Sequence, residues 1–121
     1  MLTVANGALL DRETAGSHVI RIKVTDPSGL SYEEEFTVAV NNVNEAPTDI
    51  TLTGSTVAEN SSASTVVGSL TSIDPDAGST ATYSLLNDAG GRFTINGANL
   101  VVAGSLDFET VASHQVIVRV T

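Results

Sequence analysis

The feature that most constrains this chain is that its last residues repeat earlier ones. Leu106-Asp107-Phe108-Glu109-Thr110 matches Leu10-Asp11-Arg12-Glu13-Thr14, His114 matches His18, and Val116, Val118, Val120 and Thr121 match Ile20, Ile22, Val24 and Thr25, every pair 96 residues apart. Leu2-Thr3-Val4-Ala5 matches Leu100-Val101-Val102-Ala103 with a two-residue shift, which a turn can absorb. Self-similarity at a fixed period is the mark of a repeat array. At 121 residues the chain holds one such period and part of a second, so it reads as a piece of a tandem array cut out of phase with its domains.

Within the period the pattern is that of strands. His18, Ile20, Ile22 and Val24 alternate with Val19, Arg21, Lys23 and Thr25, which predicts a strand with one buried face and one wet one. Asp26-Pro27-Ser28-Gly29 makes a turn. The return strand runs from Tyr32 to Val40, with Phe36, Val38 and Val40 inward, Glu33 and Glu35 outward, and Glu34 inward by parity. Further strands are predicted at Leu2–Ala5, Asp49–Thr53, Ser64–Leu70 and Thr80–Leu86, with a hairpin from Arg92 to Val102 across Asn96-Gly97. No segment keeps a helical period. The fold class is all-β, a Greek-key β-sandwich.

Composition excludes several functions. Fourteen acidic residues against five basic ones give a net charge of -9, which repels nucleic acid and anionic membrane surfaces. No apolar run reaches the roughly 18 residues of a membrane helix, so no membrane insertion is expected. Without cysteine there are no disulfides or thiolate metal sites. Aromatics are only 4% of residues, so the interior must be built from Val, Ile, Leu and Ala. No nucleophile, base and orienting group fall together, and the chain reads as non-enzymatic. The two histidines occupy equivalent repeat positions at strand starts, which favours a structural role over a catalytic one.

Between the alternating runs lies Asn42-Val43-Asn44-Glu45-Ala46-Pro47, polar, oxygen-rich and closed by a proline. This stretch resembles the linker of cadherin-type repeats in the variant common to bacterial surface proteins. The other markers of that family stand in its order: Leu10-Asp11-Arg12-Glu13, Val24-Thr25-Asp26, the linker, Glu59-Asn60, Asp74-Pro75-Asp76 and Leu106-Asp107-Phe108-Glu109. The period suits a cadherin-like or immunoglobulin-like domain. Residues 1–41 then resemble the last strands of one repeat, 42–47 its linker, and 48–121 most of the next, without its last strand.

The resemblance implies calcium. It gathers Asp11, Glu13, Asn42, Asn44, Glu45, Asp74 and Asp76 around one cluster at the repeat junction, and places Glu59, Asp107 and Glu109 in a second, incomplete site. Asn42 stands where the family has an aspartate, which implies weaker binding. Read alone, each motif has a plainer meaning: Asp74 to Gly78 a turn, Leu10 to Glu13 a charged corner, Asn42 to Glu45 a solvated linker. The function implied is that of a spacer module in an extracellular or bacterial cell-surface adhesin, stiffened by calcium and supporting adhesion or biofilm formation. The alternative is a carbohydrate-binding module of a secreted polysaccharide-acting protein, for which Tyr32 and Tyr83 are the tyrosines available for stacking. The partners expected are neighbouring repeats, and a head-to-tail homo-oligomer or filament in which Tyr32–Val40 of one chain completes the open sheet of another.

Overall fold

The computed structural model describes residues 1–121, which form two compact units, Met1–Asn44 and Glu45–Thr121. The first is built around one hairpin. Strand β1 (Ser17–Thr25) pairs antiparallel with β2 (Ser31–Ala39), from Ser17 opposite Ala39 to Thr25 opposite Ser31. Asp26 fixes the connection, its Oδ1 accepting the backbone N–H of both Ser28 and Leu30 at 2.9 Å. Gly29 turns the chain at φ +87°, a conformation that costs a residue with a Cβ.

The predicted faces are present but not buried. Ile20 and His18 are half-buried, whereas Ile22 and Val24 are exposed, as are Phe36 (45%) and Val38 (39%). Alternation sets which side chains share a face; burial needs a second layer, and this unit has only the two strands of one sheet. On the opposite face Arg21 meets Glu35 at 2.6 Å and Lys23 meets Glu33 at 3.8 Å. These exposed pairs help register more than stability. The strand expected at Leu2–Ala5 is absent, because no ladder partner lies beside it. The chain instead makes a short 3-10 helix at Gly7–Leu9, capped by Asn6, whose Oδ1 accepts the Ala8 N–H at 3.1 Å.

The second unit contains β3 (Asp49–Thr53), β4 (Val66–Ile73), β5 (Tyr83–Asn87), β6 (Phe93–Asn96), β7 (Asn99–Val102) and β8 (Ile117–Val120). One sheet has the order β3-β4-β7-β6 and the other pairs β5 with β8, all antiparallel. The architecture is an immunoglobulin-like β-sandwich. Its core is Phe93, Leu100, Val102 and Leu106, with Leu52, Val57, Ile95, Leu85 and Val116 packed on it from both sheets. Val102 is only 1% exposed. Aliphatic residues supply most of this interior, as the scarcity of aromatics requires.

Strand ends move by a few residues from their predicted places. Pairing of Asp49 with Ile73 extends β4 to Ile73, and β5 begins at Tyr83. The predicted hairpin closes with Asn96 opposite Asn99, and Gly97 at φ +61° opens its two-residue turn. No helix is long and apolar enough to cross a membrane.

Candidate functional site

The repeated Leu-Asp-x-Glu-Thr motif folds the same way twice. Asp11 Oδ1 accepts the backbone N–H of Glu13 and Thr14 at 2.9 and 3.1 Å, and its Oδ2 accepts the Thr14 hydroxyl at 2.8 Å. Asp107 does the same with Glu109, Thr110 and the Thr110 hydroxyl, at 3.1, 3.2 and 2.7 Å. In each copy the aspartate carbonyl then accepts the N–H four residues on, from Ala15 or Val111. Donation from the threonine, hydroxyl first and then amide, holds both carboxyls below their ordinary pKa, so both are ionised at neutral pH.

The loop between β3 and β4 brings Glu59 to the second of these corners. The Glu59 carboxylate accepts the Phe108 N–H at 3.2 Å, and Leu106 O accepts the Asn60 N–H at 3.1 Å. Side-chain oxygens of Glu59, Asp107 and Glu109 consequently lie within 4.8 Å of one another, all three residues exposed. Beside them opens a hollow of about 330 Å³, lined in part by Ser55, Val57, Leu106, Phe108 and His114. His114 lies three residues before β8 and packs edge-on against Phe93, centroids 5.8 Å apart, while its counterpart His18 lies within β1.

Asp74, Asp76 and Glu45 gather at the opposite end of the β3–β4 ladder. Asp74 Oδ1 accepts the Asp76 N–H at 2.9 Å, making the turn that Asp-Pro-Asp suggests. Asp76 is 9% exposed, and its Oδ2 accepts the Glu45 N–H at 2.6 Å. Its carbonyl also takes the Ser79 hydroxyl at 2.6 Å. Thus Asp76 ties the end of the Asn42–Pro47 stretch to the turn after β4, a connection no local pattern reveals. Asp11 and Glu13 lie on the corner of the first unit, and Asn42 and Asn44 lie among its last residues, outside any strand. Tyr83, one of the tyrosines considered for sugar stacking, is half-buried with its hydroxyl 3.1 Å from Ser72 Oγ; Tyr32 is exposed.

Comparison with known proteins identifies the family. The family model described as "Cadherin domain" matches residues 54–121, more than half of the chain. Mouse Cadherin-24 is 34% identical over 127 aligned positions, covering 93% of this chain and 16% of its own length, so the chain spans about a sixth of that relative. The crystal structure of protocadherin gamma B7 extracellular cadherin domains 1–4 superposes with a TM-score of 0.58 at 21% identity, covering 92% of this chain and 32% of the other; at that identity the likeness speaks for the fold. The chain therefore belongs to the cadherin domain family, whose members are extracellular adhesion modules, set in tandem and generally non-enzymatic.

Proposed function

We propose that this chain is a spacer module of an extracellular adhesin of bacterial type, stiffened by calcium and supporting cell-surface adhesion or biofilm formation. The observation that carries the calcium reading is the convergence of Glu59, Asp107 and Glu109, whose oxygens lie within 4.8 Å of one another. Calcium binds oxygen at about 2.3–2.6 Å, so opposite ligands of one ion stand roughly 4.6–5.2 Å apart; magnesium, at about 2.0–2.1 Å, needs a tighter set. The three side chains come from two segments, which one ion would tie together while neutralising their mutual repulsion. An ion needs about six to eight oxygens, so three carboxylates make a partial site, and weak binding in the extracellular range follows.

The linker set of Asp11, Glu13, Asn42, Asn44, Glu45, Asp74 and Asp76 belongs to the same reading, supported by the order of the motifs in the sequence. In an array, calcium held at such positions converts a flexible string of domains into a stiff rod that carries a terminal binding domain away from the cell.

The test is calorimetric titration of the chain with calcium and magnesium, with thermal unfolding alongside. Calcium should bind and raise the midpoint, and magnesium should do so poorly. An unchanged midpoint at millimolar calcium, with no binding heat, would reject the reading.

A further inference from the structure

The loop between β3 and β4 carries Asn60-Ser61-Ser62, the one place in the chain where a serine or threonine stands two residues after an asparagine with no proline between them. Backbone bonds hold this loop to the sandwich. The Asn60 N–H donates to Leu106 O at 3.1 Å, and the Ser64 N–H donates to Val102 O at 2.8 Å. Within the loop the Ser61 hydroxyl donates to Ala58 O at 2.7 Å, and the Ser62 carbonyl accepts both the N–H and the hydroxyl of Thr65, at 3.2 and 2.7 Å. None of these bonds involves either end of the chain. The Asn60 side chain takes no part in them. Asn6, Asn87 and Asn99 each accept a hydrogen bond within the fold through the side-chain oxygen, whereas the Asn60 amide makes none, and Asn60, Ser62, Ala63 and Ser64 are all exposed.

Part of this has a conformational explanation. Asn60 stands at φ +57°, in the left-handed region that asparagine enters more readily than most side chains. That accounts for Asn60 but not for the serine two places on, whose hydroxyl has only Thr65 Oγ1 near it, at 3.4 Å. We propose that Asn60 is an acceptor for N-linked sugar, with the Ser62 hydroxyl as the group by which the transferring enzyme recognises it. In the transfer, Asn60 Nδ2 bonds to the anomeric carbon of a sugar phosphate as the bond from that carbon to the phosphate oxygen breaks. The phosphate leaves with the electron pair, and the amide gives up one proton to a base of the enzyme. The donor is a lipid-borne oligosaccharide diphosphate or a nucleotide diphosphate sugar; the acceptor chemistry is the same for both. An attached sugar is bulky and hydrated, so it needs a side chain that neither holds the fold together nor lies inside it. Asn60 meets both conditions, and the loop backbone stays anchored through Leu106 and Val102 whatever the side chain carries.

The test has two arms. In one, the 121-residue chain is secreted from a eukaryotic cell line, whose donor is a lipid-borne oligosaccharide; in the other, the folded chain purified from bacteria is incubated with a soluble asparagine glucosyltransferase and UDP-glucose. Intact mass and peptide mapping read both. The expected product is a single oligosaccharide on Asn60, removed by peptide N-glycosidase to leave aspartate there, or a single hexose on Asn60, and the attached mass identifies the donor. Ser62→Ala should lose nearly all of the modification while keeping the wild-type unfolding midpoint, and Ser62→Thr should retain it. A chain that stays unmodified in both arms overturns the proposal. Sugar that survives on Asn60 in Ser62→Ala also overturns it, because the Ser62 hydroxyl would then not be what the enzyme reads.

Discussion

Glu59 holds the Phe108 N–H at 3.2 Å although the two residues are 49 positions apart, and this bond fixes one carboxylate beside the Asp107 corner. Charge and hydrogen-bond acceptance can be separated here. Glu59→Gln keeps an acceptor for Phe108 and removes the charge, so calcium-free stability should change by less than about 0.5 kcal/mol, as for most surface changes, while the calcium-induced rise in midpoint shrinks. Glu59→Ala should shrink the rise as well and also loosen the corner. Thermal unfolding with and without calcium separates the two variants.

The threonine of each corner sets the acidity of its aspartate. Thr110→Val removes the hydroxyl that donates to Asp107 Oδ2 and should move the Asp107 carboxyl up toward its ordinary pKa; Thr14→Val should do so for Asp11. Because the folded pKa is the lower one, each carboxylate contributes stability that is present above its unfolded pKa and is lost as pH falls through its folded value. Carboxyl titration by NMR on the wild type and both variants checks the direction, and unchanged titration curves would contradict it.

Gly68 sits at the register shift in β4, where a Cβ would press into the carbonyl oxygens of Gly54 and Thr53. These are backbone atoms and cannot swing aside. Gly68→Ala should therefore destabilise the second unit by about 1–3 kcal/mol, the usual cost of overpacking. Urea unfolding measures it, and a loss below about 0.5 kcal/mol, the level of a neutral surface change, would show that the backbone yields there.

Two leucines of the same unit differ in burial and should differ in cost. Leu100 is 2% exposed within the core, and Leu100→Ala should cost about 2–5 kcal/mol through lost transfer energy and the cavity left behind. Leu86 is 57% exposed, and Leu86→Ala should cost under about 1 kcal/mol, since little apolar area leaves the interior. Comparable losses in urea would mean that the core lies elsewhere.

Much of this was legible in the sequence because it is local or periodic. Asp11 and Asp107 make the same turn since the residues that build it, from the aspartate to the threonine three positions on, are adjacent in both copies. The β6–β7 hairpin follows from its Asn-Gly turn, and the all-β class from alternation. What the sequence could not supply is distance between separated segments. Nothing local places Glu59 on Phe108, or Asp76 Oδ2 on the Glu45 N–H. Nor does alternation say what covers a face: it groups Phe36 and Val38 with Ile20 and Ile22, but burial depends on a second sheet.

The central claim is that Glu59, Asp107 and Glu109 form a calcium site, and calorimetric titration of the wild-type chain against the Asp107→Asn, Glu109→Gln double variant tests it most directly. The substitutions nearly preserve shape and remove two of the three charges. The wild type should bind calcium weakly and specifically over magnesium, and the variant should lose the share of that binding held by this corner while its calcium-free unfolding midpoint stays close to the wild type. Equal calcium binding by both chains, or none by either, would contradict the account.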